Sequence, residues 1–219
     1  MSRPGVLFDV DGTLMDSTYL HVMAFHRVFR EYEVVVPMRR LHRLIGMGAE
    51  MLVEEAAGRA LEGAADRHAV QYGRLRDEVE PLAGALDLLT AVHERGLGVV
   101  LASSAKREDV DDAISRLGAA DVIDGSTAAD DADEAKPSPD ILQAALDVAD
   151  LDPQRTVVIG DATWDVEAAK RLELPTIAFL SGGVPEAELR AAGAVEVYDG
   201  PAHLLAEIST SLIAMLDGH

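Results

Sequence analysis

The sequence predicts an α/β protein with a doubly wound, mainly parallel sheet and a small all-helical domain inserted after the first strand. Short apolar runs rich in branched side chains alternate with stretches whose apolar residues are spaced by three and four. Runs that are apolar on both faces are typical of parallel strands covered by helices on both sides. A long helical stretch interrupts this alternation directly after the first run, which indicates the inserted domain.

Each element follows from these two patterns. Clear strand runs lie at residues 5–10, 97–102, 156–160 and 176–180, with weaker copies at residues 122–124 and 195–198. Helical periodicity predicts core helices at residues 84–95, 107–117, 140–148, 165–172 and 204–216. Gly96 and Gly118 stand where a helix commonly ends in a left-handed residue. We therefore expect an open sheet with right-handed crossovers.

The stretch from residue 17 to residue 85 contains 69 residues with helical patterns and only one strand-like run, at residues 34–36. Its predicted helices are residues 19–33, 39–44, 49–61 and 64–79. An insertion of this size is expected to form its own domain above the sheet. Residues 1–16 and 86–219 then form the α/β core domain, and residues 17–85 form a helical cap domain.

Composition excludes several classes of function. The formal net charge of −20 repels phosphate backbones and anionic lipid head groups, so neither a nucleic acid nor a membrane surface is expected as a partner. Cysteine is absent, which excludes disulfides and thiolate metal sites and favours a cytoplasmic location. No apolar run approaches the roughly 18 residues that a membrane span needs. The oligomeric state is not predicted.

Polar side chains follow several predicted strands at the edge where ligands bind in open α/β sheets. They are Asp9 and Asp11 after the first strand, Ser103 and Ser104 after the second, Lys136 in a later segment, and Asp161 and Asp165 after the strand at residues 156–160. Clustered carboxylates raise one another's pKa and destabilise the fold unless a cation compensates them. Hard oxygen ligands without His or Cys favour Mg²⁺, and a lysine and a serine hydroxyl suit the oxygens of a bound phosphate.

In their order, these residues resemble the haloacid dehalogenase superfamily. The motifs are D-V-D-G-T-L at residues 9–14, the serine at 103, K-P at residues 136–137 and G-D-x-x-x-D at residues 160–165. The inserted helices are similar to the superfamily's first type of cap domain, and the nearest branch contains phosphoglycolate phosphatase and β-phosphoglucomutase. The resemblance implies a Rossmann-like core and a phosphoric monoester hydrolase that acts on a small phosphorylated metabolite.

The resemblance also implies roles for the motif residues. Asp9 is the implied nucleophile that forms an aspartyl-phosphate, and Asp11 is the implied general acid and then base. Mg²⁺ is expected to be held by Asp9, the backbone carbonyl of Asp11, Asp161, and Asp165 directly or through water. The serine at the end of the second strand and the lysine are expected to hold phosphoryl oxygens.

Some assignments have alternatives. Ser104 competes with Ser103 as the phosphate ligand, and Ser103 is preferred because it directly follows the strand. Asp165 also suits a helix N-terminus through the helix dipole. Asp16 and Ser17 are predicted to cap the first helix of the cap domain, with no role in the chemistry. His21, Arg43 and Met47 of the cap are candidates for substrate contact, although a structural role is the alternative for His21.

Three other functions compete with a Mg²⁺-dependent phosphatase. A phosphomutase of the β-phosphoglucomutase type uses the same nucleophile, but that branch places an arginine where this chain has Ala49. Dehalogenases of the superfamily lack the second acid, whereas Asp11 is present here. Phospho-acceptor receiver domains carry the acceptor on a later strand and have no helical insertion after the first strand. The substrate itself is not predicted.

Overall fold

A computed structural model describes residues 2–132 and 135–216 of the chain and shows a six-stranded parallel sheet. Its strands are β1 (Arg3–Phe8), β2 (Gly98–Ala102), β3 (Gly125–Thr127), β4 (Leu151–Gly160), β5 (Thr176–Phe179) and β6 (Glu196–Tyr198). Their order in the sheet is β3-β2-β1-β4-β5-β6, so the chain reverses its direction of travel at β1. The predicted α/β fold is confirmed, and ligands of such sheets bind at this switch point between β1 and β4.

The helices of the described residues are α1 (Thr18–Glu31), α2 (Met38–His42), α3 (Ala49–Ala57), α4 (Ala64–Gly73), α5 (Ala85–Glu94), α6 (Arg107–Leu117), α7 (Asp140–Val148), α8 (Thr163–Arg171), α9 (Glu186–Ala192) and α10 (Pro201–Glu207). Gly96 and Gly118 have φ angles of 76° and 65°, which confirms both as left-handed residues after helices. None of these helices has the length and apolar character required to cross a bilayer.

Two elements differ from the prediction. The prediction of one helix at residues 204–216 is wrong. Helix α10 ends at Glu207 and is followed by short 3₁₀ helices at Ile208–Thr210 and Leu212–Leu216. The Ser211 hydroxyl donates to the Ile208 carbonyl and accepts from the Ile213 N–H, and such local bonds compete with a helix. The strand expected at residues 122–124 lies three residues later, at β3. Its sequence, Gly-Ser-Thr, contains no apolar run from which a strand could be predicted.

The sheet buries both of its faces. Along β1, Val6 and Phe8 belong to one hydrophobic cluster, whereas Leu7 belongs to another on the opposite side. Alternate side chains of a strand point to opposite faces, so this division follows directly from the strand period. Apolar contacts on both faces explain why the strand runs are continuously apolar.

In the sequence, helices α1 to α4 stand between β1 and α5. Their residues and the loops between them share a hydrophobic cluster of their own. Phe25, Phe29, Leu41 and Leu52 are among its buried members. The separate cluster supports the proposed cap domain at residues 17–85. Two backbone hydrogen bonds join the connecting segments, from Asp16 N–H to the Glu80 carbonyl at 2.9 Å and from Leu82 N–H to the Leu14 carbonyl at 2.8 Å.

Candidate active site

The site begins where β1 and β4 end. Asp9 directly follows β1, and its N–H donates to the Ile159 carbonyl of β4 at 2.8 Å. Asp161 directly follows β4, so two adjacent parallel strands deliver these two aspartates to the same edge of the sheet. Gly12 turns the chain beside them with a φ of 80°, a conformation that suits glycine.

Three carboxylates meet at this edge. Asp9, Asp161 and Asp165 each offer an oxygen, and these oxygens lie within 4.8 Å of one another. All three side chains are buried. The Thr13 hydroxyl lies 3.2 Å from Asp9 Oδ2 and 3.1 Å from Asp161 Oδ1, so it ties two of the carboxylates together.

Lys136 is buried against the same carboxylates. Its Nζ donates to Asp9 Oδ1 at 2.5 Å and to the Ala102 carbonyl at 2.9 Å. The Nζ atom also lies 2.8 Å from Asp165 Oδ1, without the alignment of a hydrogen bond. The Lys136–Pro137 peptide bond is cis. The structure therefore brings together Asp9, Lys136 and Asp165, which the sequence separates widely.

Burial and like charge shape the acidity of the cluster. Burial, opposed by Lys136 and supported by Asp165, raises the pKa of Asp9 to about 7. Burial followed by the charges of Asp9 and Asp165 raises the pKa of Asp161 well above its usual range. Burial alone would lower the pKa of Lys136, but the neighbouring carboxylates outweigh it and raise that pKa. Three ionised carboxylates beside one lysine carry excess negative charge, and their hard oxygen atoms fit Mg²⁺.

The Asp11 side chain is not part of this cluster in the described residues. Its Oδ1 accepts from the Ser17 hydroxyl at 2.5 Å and lies 3.0 Å from His21 Nε2. Burial would raise the pKa of Asp11, but the charge and hydrogen bond of His21 and the Ser17 bond outweigh it and lower that pKa. The predicted metal contact of Asp11 therefore rests on its backbone carbonyl.

His21 links Asp11 to the cap. Its Nδ1 lies 3.2 Å from Nε2 of His68, a residue of α4, and its ring stacks on Tyr72 at 3.9 Å between centroids. Burial, followed by the charge of His21, lowers the pKa of His68 well below its usual value. A neutral His68 can accept the Nδ1 proton of His21, which orients the other ring nitrogen towards Asp11.

A cavity of about 350 Å³ opens beside Asp9 and Asp11 between the sheet edge and the inserted helices. His21 and Met47 line it, as the sequence predicts for residues near a substrate. Arg43 does not line it. Its guanidinium pairs with Glu188 and borders a second cavity of about 270 Å³ that reaches Asp161.

The two serines after β2 have different surroundings. Ser103 is buried, and its hydroxyl oxygen accepts from the Ala105 N–H at 3.0 Å, which leaves its proton without an acceptor among the described residues. Ser103 follows Ala102, whose carbonyl contacts Lys136. Ser104 lines the 350 Å³ cavity, and its buried hydroxyl has no hydrogen-bond partner among the described residues.

Sequence reasoning missed several residues of the site. Ser17 occupies the N-cap position of α1, as predicted, but its hydroxyl makes no capping hydrogen bond and donates to Asp11 instead. Thr13 lies within the D-V-D-G-T-L motif at residues 9–14, so its position in the sequence could have identified it as a site residue. Gly182 had no signal: a Cβ there would lie 1.8 Å from Asp161 Oδ2. Only the packing of the loop after β5 against Asp161 reveals that requirement.

Comparison with known proteins agrees with this geometry. A sequence model described as haloacid dehalogenase-like hydrolase matches residues 6–179. The chain is 30% identical over 215 residues to the phosphoglycolate phosphatase of Rhodospirillum rubrum. This match covers 91% of this chain and 88% of that protein. A hydrolase from Pseudomonas syringae has a crystal structure that superimposes with a TM-score of 0.87 at 32% identity, covering 94% of this chain and 98% of that one.

A plant relative is much longer. The chain is 33% identical over 205 residues to Protein SUPPRESSOR OF QUENCHING 1, chloroplastic, of Arabidopsis thaliana. The match covers 89% of this chain but only 19% of the plant protein. Nothing about the activity of that whole protein therefore follows for this chain.

Proposed function

The chain belongs to the haloacid dehalogenase-like hydrolase family and is a phosphatase, and we propose that it hydrolyses a small phosphorylated metabolite through an aspartyl-phosphate on Asp9, with Mg²⁺ as cofactor. One observation carries the proposal. Asp9 contacts Lys136, lies within reach of Asp161 and Asp165, and opens into a cavity that Asp11 also lines. This arrangement combines a nucleophile, a cation-binding group and a proton carrier in one place.

The residues present fit the cofactor. Asp9, Asp161 and Asp165, with the carbonyl of Asp11, are the proposed ligands, and all supply hard oxygen atoms. Burial, together with the charges of neighbouring carboxylates, raises the pKa of Asp9 and of Asp161, and a bound cation would favour the ionised form of both groups. When bound, Mg²⁺ supplies positive charge that stabilises the phosphoryl group during transfer.

Asp9 performs the first proposed step. One of its oxygens attacks phosphorus in line with the leaving oxygen, so a new O–P bond forms as the ester O–P bond breaks. Lys136 holds one Asp9 oxygen at 2.5 Å, and this contact fixes the orientation of the carboxylate. Lys136 and Ser103 are the proposed partners of the phosphoryl oxygens, because a cation and a hydroxyl donor stabilise the charge of the transferring group.

Asp11 carries the proton in both steps. It protonates the leaving oxygen and later removes a proton from the water that attacks the aspartyl-phosphate. Its pKa is lowered in the free protein, so it must gain a proton when substrate binds. A dianionic phosphate beside it has that effect, because a like charge raises the pKa of a carboxyl group. His21 Nε2 lies 3.0 Å from Asp11 Oδ1 and orients this carboxyl group.

The test is phosphate release from p-nitrophenyl phosphate and from a panel of metabolite phosphates. We expect turnover with Mg²⁺, none with EDTA, and a loss of roughly 10³-fold or more in Asp9→Asn. Asp16→Asn, an exposed aspartate seven residues later, is the matched control and is expected to retain activity. A wild-type protein that releases no phosphate from the panel would overturn the proposal. Isomerisation of a sugar phosphate with an added bisphosphosugar would instead support a mutase.

A further inference from the structure

The cavity beside Asp9 and Asp11 has two kinds of wall. Phe25, Ile45 and Leu52 form an apolar side that belongs to the inserted helices. Carboxylates stand on other sides, because Glu50 of α3, Asp109 of α6 and Asp130 also line the cavity. A volume of about 350 Å³ lies near the small end of ligand pockets, so the group bound there is small.

Positive charge is scarce in this cavity. Lys106 is the only lysine or arginine among its lining residues in the described part of the chain. Its Nζ lies 3.3 Å from Asp66 Oδ1, so an acidic partner already balances part of its charge. Arg76 pairs with Asp109 in the same way. Lys106 and Arg76 therefore contribute little net positive charge to the cavity.

Glu50 and Asp130 lack such partners. Both side chains are exposed, and no lysine, arginine or histidine of residues 2–132 and 135–216 forms an ion pair with either carboxylate. The part of the cavity beyond Asp9 and Asp11 therefore carries net negative charge. A second anion on the substrate would be repelled there, whereas hydroxyl and ammonium groups can donate hydrogen bonds to carboxylates.

Ser104 adds an uncharged polar group to the same cavity. Its hydroxyl is shielded from solvent and makes no hydrogen bond within the described residues. A hydroxyl can both donate and accept, so this group suits a substrate hydroxyl or amine. A shielded polar atom without a partner is costly unless a ligand satisfies it.

We propose that the phosphorylated substrate has a small leaving group that is polyhydroxylated and either neutral or amine-bearing, such as a sugar or an amino sugar. A carboxylate or a second phosphate on the leaving group is selected against. This inference rests on the proposed phosphatase function and specifies its substrate class. Glu50 and Asp130 provide the discrimination by charge, and the apolar wall contacts the carbon skeleton of the leaving group.

Two matched sets of substrates test the inference. The first is glucosamine 1-phosphate, glucose 1-phosphate and glucuronic acid 1-phosphate, which share a ring and differ in charge. The second is phosphoethanolamine, glycerol 3-phosphate and phosphoglycolate. We expect kcat/KM for the amine and neutral members to exceed that for the carboxylate member by roughly tenfold or more in at least one set. The difference should shrink when salt is raised, because salt screens the exposed carboxylates of Glu50 and Asp130.

A variant pair assigns the effect to the cavity. Glu50→Gln combined with Asp130→Asn should reduce the preference for the amine over the carboxylate by roughly threefold or more. Glu54→Gln on the same helix does not line the cavity and should leave the preference unchanged. Equal rates within both sets, or preference for the carboxylate members, would overturn the inference while leaving the phosphatase function intact. Hydrolysis of p-nitrophenyl phosphate with none of the six metabolites would overturn it as well, whereas an inert protein would contradict the proposed function itself.

Discussion

At the scale of single residues, Lys136 has the most exacting environment in the site. A lysine that is only 1% exposed keeps its charge because Asp9 and Asp165 surround its Nζ. The ammonium group in turn offsets part of the negative charge of three buried carboxylates. Each of these charges is therefore tolerated in the interior only because the oppositely charged groups lie beside it. Removal of one partner leaves an uncompensated buried charge, which lowers the free energy of unfolding.

Lys136→Met tests this dependence. We expect kcat to fall by roughly 10²–10³-fold, because the variant removes a charge that stabilises phosphoryl transfer. The metal-free protein should also lose about 3–5 kcal/mol of stability, since a buried carboxylate loses its cationic partner. Kinetics and urea denaturation measure both effects. Lys170→Met removes an exposed lysine and serves as the control. Activity of Lys136→Met close to that of the wild type would argue against the assigned role.

A second pair of variants distinguishes the roles of Ser103 and Ser104, the two serines after β2. Ser103→Ala is expected to lower kcat by roughly tenfold to a hundredfold, because Ser103 adjoins the carbonyl that contacts Lys136 and its hydroxyl proton has no acceptor in the part of the chain that the structure describes. Ser104→Ala is expected to act mainly on KM, since Ser104 lines the proposed leaving-group cavity. Steady-state kinetics with one substrate distinguish the two. The reverse pattern would assign the phosphate contact to Ser104.

At the scale of elements, the loop after β5 supports the end of β4. Gly182 lies so close to Asp161 that no side chain fits between them. The Ser181 hydroxyl donates to the Gly12 carbonyl at 2.6 Å, and the Gly182 carbonyl lies 2.7 Å from His42 Nε2 of α2. This loop therefore contacts the sheet edge and the inserted helices together, and it fixes the position of a proposed metal ligand.

Gly182→Ala should displace Asp161 and weaken Mg²⁺ binding by roughly tenfold or more while leaving the fold intact. Intrinsic fluorescence of Trp164, the only tryptophan, can follow the Mg²⁺ titration because this residue adjoins Asp165. Gly73→Ala is the control, since a Cβ there meets no atom within 4 Å. An unchanged Mg²⁺ affinity in Gly182→Ala, with normal circular dichroism, would remove Asp161 from the proposed ligand set.

At the scale of the whole molecule, the buried carboxylates couple stability to pH. The pKa of Asp9 rises from 3.8 to about 7 in the folded protein, and the pKa of Asp161 rises as well. At pH values between 3.8 and about 7, the folded state therefore binds more protons than the unfolded chain. Their contribution to stability is therefore present at low pH and is lost as pH rises through the folded-state pKa.

We therefore expect the melting temperature in EDTA to fall between pH 5 and pH 8 by more in the wild type than in Asp9→Asn, which removes one of the titrating groups. Saturating Mg²⁺ should recover stability at pH 8, because a bound cation favours ionised carboxylates and binds the folded state. Differential scanning fluorimetry at both pH values measures these effects. Equal pH dependence in both proteins would show that Asp9 titrates as an ordinary carboxyl group.

The sequence by itself determined the α/β class and most strands and helices, and its ordered motifs predicted a site formed by Asp9, Asp11, Lys136, Asp161 and Asp165. Apolar periodicity reports burial, and charged residues at the ends of apolar runs are visible without coordinates. Only the tertiary structure decided which of these groups touch, and it showed that Ser103 and Ser104 have different surroundings and that Arg43 lies outside the lining of the main cavity. It also revealed Gly182, His68 and the Ser17 bond to Asp11. The physical reason is that such contacts depend on how distant loops pack together, and no local pattern of residues encodes that packing.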